Sequence, residues 1–363
     1  MDGSDLLTQL RKEKYDTATI SNSYNTGNVA GYTGVGGVAG QMVKGSVAGS
    51  YNLGTVRSTR IADPGTVQPL NMGGIVGDTS VATGGSGTVI YDVYNAGQIG
   101  DDTYTYLGRH VGGVVGRLGG TLEKRNNTRP DIYNGYSVTG GVVGYWVSGN
   151  IKNVFNTGNV TVVNYDLNAR NSLVGGIVGA ATSDYDKKLS FAYNLGTLRS
   201  FIPEGYERIE VQEDTLQDGK KVLVSNKHDY TDEEKTQYQN IINNVIFSAD
   251  DGVFDSENDG KYNKSEAYQL ENINVVGGII GGVTESDVGK DDKTITVDNV
   301  YSTGNIFAGR FNTENQKYEK STNTSDRVSA IWGRGYTNGD GQKNVELTNS
   351  FFIKPRTRIC SAQ

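Results

Sequence analysis

The chain is 363 residues long, with 50 glycines, 5 prolines, one cysteine and a formal net charge of −7. The glycine follows no G-X-Y period, which excludes collagen. The acidic balance, with only the mixed Glu123-Lys124-Arg125 approaching a basic run, argues against nucleic-acid binding.

Apolar residues make up 35%, low for a globular enzyme and enough for a thin repetitive core. The lone Cys360 forms no internal disulfide, which is compatible with export from a Gram-positive cell. In chain order, residues 1–16 come first. Asp5-Leu6-Leu7 through Lys14-Tyr15 reads as a short helix that caps the first rung and blocks edge-to-edge strand pairing.

From Ile20 onward the chain repeats. Seven blocks of the type Y-N-x-G-x-V, centred on Tyr24, Tyr51, Tyr94, Tyr133, Phe155, Tyr193 and Tyr301, alternate with blocks of the type V-G-G-V-V-G. The glycine blocks begin at Val35, Met72, Val111, Thr139, Val174, Val276 and Val328. The fourth copy, Tyr133 to Gly144, is compressed, and the seventh glycine block reads V-S-A-I-W-G. An aromatic half-block, Leu347 to Phe352, closes the series unanswered. Repeats of this kind decide the architecture before other signals do.

In the first copy Ile20, Asn22 and Tyr24 alternate, which predicts a strand with one buried face. Asn25-Thr26-Gly27 supplies a turn, because Asn and Gly tolerate positive φ. The pair recurs as Asn52 with Gly54, Asn95 with Gly97, Asn156 with Gly158 and Asn194 with Gly196, and Ser302 replaces Asn ahead of Gly304. Paired glycines point to close approach of backbone layers. No single copy can bury its apolar face, so the expected fold is all-β, a β-solenoid of about seven repeats. Tyr/Phe positions would stack into one ladder and Asn positions into another.

The predicted solenoid runs over 17–198 and resumes over 275–363. Length changes at 57–70, 100–110, 161–172, 199–274 and 307–327 all fall between an aromatic block and its glycine block, so they project from one side, often the binding side. The 199–274 insertion reads as a small α+β, mainly helical subdomain. Glu210-Val211-Gln212 and Lys221 to Val224 predict a hairpin around Asp218-Gly219. Thr231-Asp232-Glu233-Glu234 is a capping box, followed by Tyr238, Ile241, Ile242, Val245 and Ile246 at helical spacing.

Asp255 to Glu266 has the spacing of a calcium loop. Asp255, Glu257, Asp259, Asn263 and Glu266 offer side-chain oxygens, Lys261 offers its carbonyl, and Gly260 takes the sharp turn. Glu257, in place of the usual Asp or Asn, and a short following helix depart from the pattern.

Val174-Gly175-Gly176-Ile177-Val178-Gly179 and Val154-Phe155-Asn156-Thr157-Gly158-Asn159-Val160 resemble the GLUG-motif repeat. The resemblance covers most of 17–352 and implies a bacterial secreted or surface protein, as in metallo-IgA1-proteases and filamentous-haemagglutinin-like adhesins. The ends show no charged-then-apolar leader and no anchor, which reads as a piece of a longer exported protein.

The two histidines, His110 and His228, lie in no H-E-x-x-H, and no G-x-S-x-G or G-D-S-G-G occurs. The acidic pairs Asp101-Asp102, Asp250-Asp251 and Asp291-Asp292 share no register. The expectation is a non-catalytic extracellular module, a spacer or recognition arm for a host glycoprotein or glycan, joined to neighbouring domains of its parent and not inserted in a membrane. The alternative is a carbohydrate-binding solenoid using the loop residues Tyr104, Tyr106, Tyr136 and Tyr165.

Overall fold

The computed structural model describes residues 18–59, 71–79, 87–101, 108–124, 126–135, 138–164, 172–204, 208–217, 219, 221–225, 232, 269–271, 273–284, 293–312, 314–315, 317–320, 326–334 and 345–352. Every element among them is a strand, and the large sheets are parallel, the arrangement of a β-solenoid. Parallel neighbours need a long crossover. Here the rest of each coil supplies it.

The glycine blocks build two seven-stranded sheets. In the first, Val35 pairs with Met72, then Val111, Thr139, Val174, Val276 and Val328 in unbroken register. The second takes the strand that follows each glycine pair, from Ala39–Gln41 to Trp332–Arg334. The third face is a twelve-stranded sheet carrying the aromatic blocks. Early coils contribute two short strands each, such as Lys44–Ala48 and Tyr51–Asn52. From Ile151–Asn156 onward they merge into one long strand.

The paired glycines are dictated by closeness. A Cβ on the second glycine of each pair would strike the ladder residue of the next coil, 2.5 Å from Asn52 Cγ at Gly37 and 2.6 Å from Asn156 Nδ2 at Gly141. A Cβ on Gly77 would lie 2.5 Å from Gly40 O and from Val35 N. The two glycine sheets thus lie backbone to backbone, with a separate core on either side. One packs Val47, Ile90, Leu122, Ile151 and Leu189 against Ile75, Val114 and Val142. The other packs Val56, Ile99, Ile132, Val160 and Leu198 against Val35, Met72, Val111 and Val174.

Three expectations are corrected. The alternation through Ile20, Asn22 and Tyr24 breaks at Asn22, whose φ of 49° is left-handed. The strand stops at Ser21 and restarts at Tyr24. That reversal turns Tyr24 outward, 65% exposed, and turns the amides inward, with Asn52 and Asn95 at 0%. Second, Tyr133 is not the fourth ladder aromatic. It pairs with Thr161, one strand further on, because its neighbour Ile132 fills the second core at 0% exposure. The ladder position belongs to Asn127, which pairs with Tyr94 and with Phe155.

Third, the turn glycines are not there for a positive φ. None of Gly27, Gly54, Gly97, Gly158, Gly196 and Gly304 adopts one. Space is what they give. A Cβ on Gly97 would strike Gly54 O in the preceding coil, and a Cβ on Gly196 would strike Gly158 O. Gly27, in the first coil, has no such neighbour and only Asn25 Oδ1 at 3.7 Å.

The longest insertions leave from one corner, later than the sequence indicates, and shorter ones follow Asp78, Thr284 and Arg334 at a second corner. Residues 160–163, 198–203 and 306–312 first form the third strand of their coils. The hairpin is present as Arg208–Thr215 antiparallel to Lys221–Ser225, and Gln269–Glu271 pairs on the other edge of the first strand. The predicted cap at 1–16 and the calcium loop lie outside the described residues, as does the predicted insertion helix apart from Asp232.

Candidate functional site

Three groups of side chains stand out along the coil. The first is the double ladder on the twelve-stranded sheet. Asn25 Nδ2 donates to Asn52 Oδ1 at 2.7 Å, and Asn52 Nδ2 donates to Asn95 Oδ1 at 2.8 Å. Each amide also closes its own turn. Asn52 accepts from Gly54 N and donates to Gly54 O. Asn95 does the same with Gly97, and Asn194 with Gly196. A buried carboxamide is thereby almost fully paired, which its burial requires.

The rings follow the same register on the outside. Tyr24, Tyr51 and Tyr94 stack with centroids 5.2 and 5.0 Å apart. Phe155, Tyr193 and Tyr301 stack at 4.9 and 5.0 Å. Burial and the neighbouring Tyr301 raise the Tyr193 hydroxyl above its ordinary pKa.

Both ladders stop at the fourth coil. Thr128 stands where Asn would, and its hydroxyl is buried with no partner. The amide chain restarts at Asn156, which donates to Asn194 Oδ1. Asn194 then reaches Ser302 Oγ at 3.4 Å. A further stack precedes each ring. Asn22, Gly49, Asp92, Lys124, Asn153, Phe191, Asn299 and Asn349 are all left-handed. The recurrent Asn or Asp two residues before the aromatic was the available signal for this corner.

The second group lies in the crevice between the glycine sheets. Asn71 Nδ2 donates to Asp78 Oδ2 at 2.6 Å. Its Oδ1 therefore faces His110, whose Nδ1 donates to it at 2.7 Å. The His110 ring stacks on Tyr145 at 4.6 Å, and Tyr145 Oη meets Thr284 Oγ1 at 2.8 Å. Burial pushes the Tyr145 hydroxyl above its ordinary pKa, away from any working acid–base range at neutral pH. Beyond it the crevice turns apolar with Val138, Leu173, Ala180 and Val275. This network braces successive coils under the loop corner.

Lys187 is the third group. It sits inside the first core, 4% exposed, with Nζ donating to the carbonyls of Trp146 and Val147 at 2.9 Å each and lying 5.0 Å from the Trp146 ring centre. Burial lowers its pKa to about 7, against the opposing pull of Asp184. Nothing in the repeat pattern singled it out.

The structure brings the ladder residues together. The calcium positions Asp255, Glu257, Asp259, Lys261, Asn263 and Glu266 and the loop tyrosines Tyr104, Tyr106, Tyr136 and Tyr165 all lie outside the described residues. Among those described, no three His, Cys, Asp or Glu gather to hold a metal, and no helix is long and apolar enough to cross a membrane. Compared with known proteins, the chain matches no protein-family model, no curated protein and no solved structure.

Proposed function

We propose that the chain is a non-catalytic β-solenoid module of a larger bacterial surface or secreted protein, a rigid recognition arm directed at host glycoproteins. In this reading it carries about seven GLUG-type repeats, a helical element in the 199–274 insertion and a calcium loop at Asp255 to Glu266. The parent is either a protease of the IgA1-protease type or an adhesin.

One observation carries the reading. The coils stack in strict register, while length variation is concentrated where the third strand hands over to the first glycine strand, after Ser58, Val163, Pro203 and Asn312. A stiff scaffold whose longest variable loops share one side is built to present a surface.

The test immobilises the protein and passes secretory IgA and mucin over it, with calcium and then with EDTA. Retention without cleavage is expected, weakened by EDTA. Cleavage, or no retention of either glycoprotein, would overturn the reading.

A further inference from the structure

The two ends of the twelve-stranded sheet resemble each other residue by residue. Ala18–Ser21 and Tyr24–Asn25 belong to its first coil and Val345–Phe352 to its last, and each lacks a neighbour on its outer side among the described residues. The register carries Ile20 into the column of Leu347, and Tyr24 into that of Phe351. Ile20-Ser21-Asn22-Ser23-Tyr24 thus answers Leu347-Thr348-Asn349-Ser350-Phe351. Asn22 and Asn349 are both left-handed, at φ 49° and 45°. Ser23 Oγ donates to Ser21 O and Ser350 Oγ to Thr348 O, each at 3.0 Å. Tyr24 and Phe351, 65% and 69% exposed, are the barest large apolar side chains among the described residues.

We propose that these ends join, the last strand of one copy receiving the first coil of a second copy, so that the chain assembles head to tail. Such a joint goes beyond the recognition reading and does not depend on it. At interior joints the ring residue and the residue after the ladder amide donate to the preceding coil. Tyr51 N reaches Ser23 O at 3.0 Å and Leu53 N reaches Asn25 O at 2.8 Å, and Tyr94 and Ala96 repeat the pair on Ser50 O and Asn52 O. In the first coil the same donors are Tyr24 N and Thr26 N, which have no preceding strand among the described residues. Ser350 O and Phe352 O hold the matching acceptor positions on the last strand. Joining them would also set Phe351 on Tyr24 and give Leu347, 49% exposed, an apolar neighbour in Ile20.

Two features of the first coil suit it to be stacked upon. A Cβ on Gly54 would strike Gly27 O, yet Gly27 itself meets only Asn25 Oδ1 at 3.7 Å, so it keeps a clearance that its own chain does not use. Residues 18–41 contain no charged residue and no proline, the two devices that ordinarily defend an exposed strand edge. On the last strand Glu346 is the one charge and would face Thr19, so no like charges meet. The glycine sheets stop one coil sooner, at Arg327–Ser329 and Trp332–Arg334. The aromatic sheet therefore makes the joint alone, and a contact that small is weak and reversible. Because its two surfaces differ, it yields open chains.

The experiment is sedimentation velocity on the whole chain, up to about 1 mM, where so small an interface is populated. The wild-type chain is expected to associate as concentration rises. Thr26→Pro removes an outward donor at the first coil, and Phe351→Lys removes the ring at the last strand. Each alone should weaken association about tenfold or more while keeping the wild-type melting temperature. Mixed together they should form a dimer and nothing larger, because one retains a sound last strand and the other a sound first coil. Misfolding cannot mimic that rescue. If Thr26→Pro lowers the melting temperature, Tyr24→Lys takes its place. A wild-type chain that stays monomeric, a variant that associates as the wild type does, or a mixture that stays monomeric would each overturn the proposal.

Discussion

Asn156 Nδ2 donates to Asn194 Oδ1 at 2.8 Å inside the coil, binding one turn of the chain to the next through side chains alone. The same amide donates to Gly158 O and accepts from Gly158 N. One residue therefore fixes both the local turn and the stacking distance.

Truncating it should be expensive. Asn156→Ala strands both Gly158 groups in a buried site and removes one of the two donors to Asn194 Oδ1, which keeps only Gly196 N, for an expected loss of about 2 kcal/mol. The reverse change is available at Thr128, whose buried hydroxyl has no partner. Thr128→Asn should link the two amide ladders and add about 1 kcal/mol. Urea unfolding of the two variants checks both signs.

Phe191 occupies the left-handed corner at φ 55°, between Asn153 and Asn299, which suit it better. A bulky residue there costs about 1–2 kcal/mol. Phe191→Asn is expected to stabilise by about 1 kcal/mol, less whatever the Lys152 contact contributes. A lowered melting temperature would show that the exposed ring matters more than the strain.

Lys187 makes stability depend on pH. Its folded pKa of about 7 lies below the ordinary value. Between those values the unfolded chain binds one more proton, so stability rises with pH. The penalty is fully present below about pH 7, and raising the pH to about 9 should recover roughly 2–3 kcal/mol. Lys187→Met should flatten that slope in chemical denaturation series.

At the last coil, Asp298 accepts from Asn349 Nδ2 and Thr348 Oγ1, both at 3.0 Å, and pairs with Lys188 at 3.2 Å. The Asn349 bond leads these contacts in holding its carboxyl down to about 2. Its support for Val345–Phe352 is present above the ordinary carboxylate range and is lost as pH falls through about 2. Asp298→Ala should speed amide hydrogen exchange across that strand at neutral pH and leave the Met72 and Val111 strands unchanged.

Much of this architecture was legible because the repeat writes it many times. The glycine blocks align at Val35, Met72, Val111, Thr139, Val174, Val276 and Val328 as the pattern indicates. Tyr133-Asn134 misled because it copies the ladder letters while Ile132 obeys a stronger demand, the filling of the second core. Register followed burial, not letter identity. Asn22 misled in another way, since alternation cannot reveal a left-handed residue that turns the chain over. Gly97 and Gly196 were placed in the right turns for the wrong reason, because the coil that crowds them is distant in sequence. The His110–Tyr145 stack and the Lys187 contacts with Trp146 and Val147 join residues 35 or more positions apart, and no local pattern records such pairs.

The most direct test of the continuous stack is a distance across it. Thr26 and Thr303 hold the same turn position, each following the ladder residue of its coil, six inter-strand steps apart. Spin labels at Thr26→Cys and Thr303→Cys, with Cys360→Ser, should give one narrow distribution near about 29 Å by pulsed dipolar spectroscopy. A broad distribution, or a distance well above that value, would contradict a single unbroken solenoid.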